Sequence, residues 1–346
     1  MAPLVPDEHW SDAGAALPAS RASGDAFSYA QARDRGVTPG RLRASDLHSP
    51  HRGVRVRSAT SFSGDSDGSR ATMIANRTRR RAHAYALVMN ERAFFTGRTA
   101  LALYGLPLER LQDEATGGER LIAGSEPLHV GVFSPRRAPR ARGIQGSRIS
   151  ESLLTLRVAH GLRLSSPAST WALMAGDLDL PSLVRLGDAI VRIPRDDRGR
   201  RCPSLQLAGV RHLEAAAAAP HRRHRRVLVD ALASIRVGSG SPLETDWRMQ
   251  AVAAGLPEFE LDVEIHHPRG WLAGIADAVH RATRVVVEIE GDHHRVSRKQ
   301  WNRDIDKHAA YAEAGWKLVR LTSAHVHSGR AVEIVRAALR DRGWPG

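Results

Sequence analysis

The stretch Trp271-Leu-Ala-Gly-Ile-Ala-Asp277-Ala-Val-His280-Arg-Ala-Thr-Arg284-Val-Val-Val-Glu288-Ile-Glu290-Gly291 decides how this chain reads. Trp271 to Val279 and Arg284 to Glu290 are two short runs rich in β-branched residues. The four residues His280 to Thr283 join them, so the pair reads as an antiparallel hairpin. Side chains two apart share a face, which points Glu288 and Glu290 the same way. A register that brings Asp277 to that face sets it opposite or diagonal to Glu288, with Cβ atoms roughly 5–8 Å apart. Carboxylates so deep in a β-rich segment need a partner. A divalent cation of the Mg²⁺ or Mn²⁺ type suits this hard oxygen donor set, and such an ion serves phosphate chemistry.

Asp277, ten intervening residues and Glu288-x-Glu290 resemble the core of the PD-(D/E)xK nuclease superfamily. Glu288-Ile-Glu-Gly-Asp-His-His294 is similar to its very-short-patch-repair-like endonuclease branch. The resemblance extends over about 105 residues. Ser241-Pro-Leu-Glu-Thr245 looks like the start of that branch's first helix. Trp301, Asp304 and Lys307 fall on the helix after the motif, and Gly315-Trp-Lys-Leu-Val-Arg-Leu-Thr322 looks like the next strand. It implies a restriction-endonuclease-like mixed-sheet domain that cleaves DNA phosphodiesters with Mg²⁺ or Mn²⁺. Asp277 and Glu288 would be metal ligands, Glu290 would assist, and water would be the nucleophile.

The chain departs from the family pattern at two positions. Ala276 stands where a proline precedes the aspartate, and Glu290 stands where the family has a lysine that orients the attacking water. His294 and Lys307 are the candidates for that missing role. Lysine occurs only at positions 299, 307 and 317. Glu244 has two readings. With Ser241 and Pro242 it forms a helix-capping box, while the resemblance places a first-helix glutamate beside the metal.

With 346 residues and 42% apolar content, the chain is long enough for two or three domains with real cores. Its formal net charge of +14 favours a polyanionic partner. A single cysteine, Cys202, excludes an intrachain disulfide and suits the cytoplasm. No apolar run approaches membrane-spanning length, so no membrane partner is expected.

Residues 1–24 are rich in Ala, Pro and Ser and read as a disordered tail. From 25 to 60, Ser28 caps a short helix, Gly36 turns, and Thr38-Pro39 opens a second helix running to about Leu47. Arg52-Gly-Val-Arg-Val56 then reads as a small basic wing. This is the pattern of a winged helix-turn-helix, and it resembles the N-terminal domain of AbiEi-type abortive-infection antitoxins. DNA contacts would fall to Arg41 and Arg43. After a linker at 61–72, residues 73–207 form an α/β middle domain with helices near 95–107, 170 and 183–190 and a strand at Leu128–Phe133. Ser165-Ser-Pro-Ala-Ser-Thr170 also resembles the body of the AbiEi-type family, and that resemblance implies a cognate toxin as partner. No catalytic constellation appears there, and Asp188 reads as a satisfied structural group.

Residues 208–240 read as a basic helix or linker before the nuclease-like domain at 241–346. The run His221-Arg-Arg-His-Arg-Arg226 is either a solvated basic face or a DNA clamp through Arg222, Arg223, Arg225 and Arg226. The sequence thus predicts an α/β protein, α+β overall: winged helix, α/β middle domain and restriction-endonuclease-like domain. Its leading function is metal-dependent DNA endonuclease action in phage defence or DNA repair. The alternative is a DNA-binding antitoxin-like transcriptional regulator whose nuclease fold is degenerate.

Overall fold

The computed structural model describes residues 4–5, 26–57, 70–106, 126–291 and 307–346. It mixes helices with three mixed or antiparallel sheets and is α+β overall. The chain divides into two compact units, one of residues 1–186 and 207–232, the other of 187–206 and 233–346. Residues 208–232, read from the sequence as part of a basic helix or linker, fall with residue 207 in the first unit. No described helix is long and apolar enough to cross a membrane.

The first unit opens with β1 (Leu4–Val5), which lies in the stretch expected to be disordered. Three antiparallel strands follow, β2 (Ala26–Ser28), β3 (Leu47–His48) and β4 (Val54–Arg57), with β4 central. Ser28 caps α1 (Tyr29–Asp34): its hydroxyl accepts from the Gln31 amide at 3.1 Å while Gln31 accepts from the Ser28 amide at 3.0 Å. Gly36, at φ +80°, makes the expected turn. The second helix does not form. Only a 3-10 turn, Arg41–Arg43, stands in its place. Arg55 on β4 satisfies the end of this turn, its Nε donating to the Leu42 carbonyl at 2.7 Å, an oxygen left open where the helix stops.

Next come α2 (Arg70–Ala86), β5 (Phe94–Phe95) and α3 (Gly97–Leu103). The parallel pair β6 (Leu128–Phe133) and β7 (Ile144–Ile149) precedes the hairpin of β8 (Leu156–Ala159) and β9 (Leu162–Ser165). These strands form a six-stranded sheet in the order β1-β8-β9-β5-β6-β7. Phe94 and Phe133 pack at 4.9 Å between centroids, joined by Ile149, Leu154 and Leu156. Four helices are α4 (Pro167–Leu173), α5 (Leu180–Val191), α6 (Val210–Ala218) and α7 (Arg225–Ser234). The fully buried Trp171 donates to the Leu183 carbonyl at 3.0 Å, which fixes the start of α5 on α4.

In the second unit, α8 (Pro242–Ala253) leads into β10 (Glu260–His266), β11 (Leu272–His280) and β12 (Val285–Glu290). A helix described over 307–313 is followed by β13 (Lys317–Thr322), α10 (Ser323–His327) and α11 (Arg330–Arg340), with 307–313 counted as α9. The sheet runs β10-β11-β12-β13, antiparallel except for the last pair. One face carries Val285, Val287, Ile289 and Leu321 against Trp247 of α8 and Val335 of α11. The other carries Val263, Ile265, Val279 and Val286 against Ala310 and Tyr311 of α9. Asp188 is buried in this unit. It accepts from Arg248 Nη2 at 2.6 Å, Thr245 Oγ1 at 2.8 Å and the Arg236 amide at 2.8 Å. These three bonds make it a satisfied structural group, as the sequence suggests.

Candidate metal centre

Strands β11 and β12 pair only from Ala278–Val287 to His280–Val285. One further step of that register would set Asp277 opposite Glu288, but there the strands part. The Asp277 carboxylate fills the break, its Oδ2 accepting from the Ile289 amide at 2.7 Å. A backbone donor that would otherwise lose its ladder partner is thereby satisfied.

Glu288 is on the face covered by α9 and is 9% exposed. Lys307 Nζ lies 2.8 Å from its Oε1, and the Tyr311 hydroxyl, one helical turn further on, donates to the same oxygen at 3.3 Å. Gly274 on β11 makes room for both. A Cβ there would come within 2.7 Å of Tyr311 Oη and 2.8 Å of Lys307 Cγ.

Glu244 arrives from the start of α8. Ser241 caps this helix, its hydroxyl accepting from the Glu244 amide at 3.2 Å. The Glu244 carboxylate reaches one residue further back than a capping box requires and takes the Gly240 amide at 2.5 Å. Burial first, then the charge of Asp277, raises the Glu244 carboxyl to about 7, against the opposing pull of the Gly240 amide and Ser241. Burial and Asp277 likewise raise Glu288 to about 7, with Lys307 and Tyr311 opposing. Burial, Glu288 and Asp277 push the Tyr311 phenol upward, so it stays a hydrogen-bond donor. Asp277 is therefore the charge that both other carboxyls feel.

Glu290 shares the face of Glu288 and pairs outward with Arg320, whose Nε lies 2.5 Å from its Oε1. That ion pair, not the Asp277 group, occupies it. His294 lies outside the described residues, as do Trp301 and Asp304. Tyr311 and Gly274 were not singled out in the sequence, although the four-residue step from Lys307 to Tyr311 was visible there.

The expected DNA contacts separate. Arg41 makes a two-point ion pair with Asp46, each nitrogen–oxygen distance 2.7 Å, while Arg43 is exposed. Arg222 is buried, so it is no clamp residue. Its Nε and Nη2 donate to the carbonyls of Ala216 at 2.9 Å and Leu153 at 2.5 Å, and burial lowers its pKa. Arg223, Arg225 and Arg226 are exposed around it.

The donor set of Glu244, Asp277 and Glu288 is of the hard oxygen type that Mg²⁺ or Mn²⁺ takes. Among the described residues, no three His, Cys, Asp or Glu side chains already converge on one coordination point. The charge of Asp277 reaches both Glu244 and Glu288, but the three carboxyls are not drawn together. Compared with family models, curated proteins and solved structures, the chain matches none.

Proposed function

We propose that the second unit is a divalent-metal-dependent nuclease domain that hydrolyses DNA phosphodiesters. One observation carries this reading: Glu244 at a helix start and Glu288 on a strand are both buried within reach of the charge of Asp277, with the Lys307 ammonium 2.8 Å from Glu288. The resemblance between Asp277…Glu288-x-Glu290 and the PD-(D/E)xK core supports it. The helix that begins after Ser241, the helix at 307–313 and strand β13 support it as well.

Asp277, Glu288 and Glu244 would hold the ion. The fit rests on burial and repulsion that raise two of these carboxyls, a strain that a cation relieves. When bound, Mg²⁺ or Mn²⁺ supplies a hydroxide source and neutralises charge on the phosphate. The chain's own residues do the rest. Lys307 takes the role of the lysine absent at Glu290, its ammonium held in place by Glu288 and by the space above Gly274. It orients the attacking water and offsets charge on the phosphate as the bond breaks. Tyr311 keeps Glu288 in position, and Ile289 does the same for Asp277.

A second reading has its own support. The Lys307–Glu288 and Glu290–Arg320 pairs satisfy these acids without any ion. On that reading the domain is a degenerate binding module in a DNA-binding, antitoxin-like regulator. The deciding experiment incubates the full chain with plasmid and linear DNA and several divalent metals, beside Asp277→Asn. Metal-dependent cutting that falls by orders of magnitude in Asp277→Asn, with DNA affinity retained, supports the enzyme. Binding without cutting under all conditions supports the regulator.

A further inference from the structure

We propose that the crossover joining β6 to β7 in the first unit is a docking surface for duplex DNA. The strands are parallel, so the ten residues 134–143 must carry the chain back along their length. That segment reads Ser134-Pro-Arg136-Arg137-Ala-Pro139-Arg140-Ala-Arg142-Gly143, with four arginines and no acidic residue. All four arginines are exposed, as is Arg148 on β7. Among the described residues no carboxylate pairs with any of the five.

The segment is fixed in place. A Cβ on Gly146 of β7 would lie 2.0 Å from the Pro139 carbonyl oxygen, so the crossover rests directly on the bare backbone of the strand. Backbone bonds from Ser134 to Ile149 at 2.9 Å, Arg136 to Phe133 at 3.1 Å and Ile144 to Ala141 at 3.1 Å pin both ends. Guanidinium groups on a fixed backbone bind an anion without first ordering the chain that carries them. Strand β7 is the edge of the six-stranded sheet, and Arg148 alone discourages pairing with another strand. The four crossover arginines lie off the strand, and edge protection does not account for them.

Five arginines within fifteen residues, none offset by a described carboxylate, fit a polyanion. The crossover carries only Ser, Pro, Ala, Arg and Gly, with none of the large apolar side chains by which a segment inserts into a membrane interface. A phosphate backbone is the remaining match, read by charge and not by sequence. The choice of duplex DNA among nucleic acids rests on the nuclease reading of the second unit.

The test is a titration of the full chain, in EDTA, with a fluorescent duplex at several salt concentrations. Arg136, Arg137, Arg140 and Arg142 are changed together to Ala and, in a second variant, to Lys. The Ala variant is expected to lose about tenfold or more in affinity near 0.1 M salt, with a slope shallower by up to about 3.6, given roughly 0.9 for each of four phosphate contacts. The Lys variant should keep most of both. Equal affinity and slope in wild type and the Ala variant overturn the proposal. Absence of duplex binding by wild type, or a loss confined to single-stranded RNA or to phosphatidylserine vesicles, overturns it as well. Cleavage at saturating DNA, measured in parallel with Mg²⁺, separates the two claims. A wild type that binds through these arginines yet never cuts removes the nuclease reading and leaves the docking surface.

Discussion

Asp277 and Ile289 are joined where their strands separate, the aspartate carboxylate taking the amide that the β11–β12 ladder leaves behind at 2.7 Å. One oxygen of Asp277 thus has a structural duty, while its charge bears on Glu244 and Glu288. The two roles are separable by substitution. Asp277→Asn retains a carbonyl oxygen for the Ile289 amide and removes the charge, whereas Asp277→Ala leaves that amide unsatisfied. The Ala variant should lose about 1–3 kcal/mol. The Asn variant should match or exceed wild-type stability near pH 8, because a repulsive charge is gone. Chemical denaturation of both at pH 8 checks this, and equal losses would refute the division of roles.

The second-unit hairpin, the capped starts of α1 and α8, and the structural role of Asp188 were legible because each depends on local spacing or local chemistry. Strand alternation put Glu288 and Glu290 on one face, and that face is real. What separates them is Arg320, and pairing between β12 and β13 has no local signal in the sequence. The missing second helix near 38–47 has the same cause. Thr38-Pro39 is a sound start, but the turn ends at Arg43 and the Leu42 carbonyl is satisfied from β4 by Arg55, thirteen residues further on. Arg222 was hidden in a charge run because only tertiary packing distinguishes it from Arg223. Composition equates them; the carbonyls of Leu153 and Ala216 do not.

The raised carboxyls make stability depend on pH. Native Glu244 and Glu288 keep their protons up to about 7, against an ordinary value of 4.5. Between those values the native state binds more protons than the unfolded chain, so this contribution to stability falls as pH rises. The metal-free protein should melt higher near pH 5 than near pH 8, and Glu288→Gln should flatten the difference. Millimolar Mg²⁺ should raise the melting temperature at pH 8 and have little effect at pH 5, where protons compete for the same oxygens. Calorimetry in EDTA and in Mg²⁺ at both pH values measures it. A metal effect that is equal at both would count against these ligands.

Breaking the Asp188–Arg248 pair is predicted to be costly for the fold. Both groups are buried, and the aspartate also holds Thr245 and the Arg236 amide. Asp188→Ala strands a buried guanidinium, an effect of about 3–5 kcal/mol. Adding Arg248→Met should recover part of that loss by removing the stranded charge. Denaturant midpoints of the two single variants and the double variant form the cycle, and simple additivity would show that the pair is not coupled.

Gly274 tests whether the space above β11 positions Lys307. A methyl group there meets Tyr311 Oη at 2.7 Å and Lys307 Cγ and Cε at 2.8 and 2.9 Å. Tyr311 is fully buried and has nowhere to move, so the flexible lysine stem yields first. Gly274→Ala should therefore cost about 1–3 kcal/mol through overpacking and draw the ammonium off Glu288. Lys307→Met loses the same ammonium without crowding, so both variants should destabilise more at pH 8, where Glu288 is ionised, than at pH 5. Tyr311→Phe removes the oxygen that the new methyl strikes, and in the Gly274→Ala background it should restore part of the melting temperature. If cleavage falls in Gly274→Ala and Lys307→Met alike, the lysine is the working group. Full activity in Lys307→Met would remove it from the site whatever Gly274→Ala does.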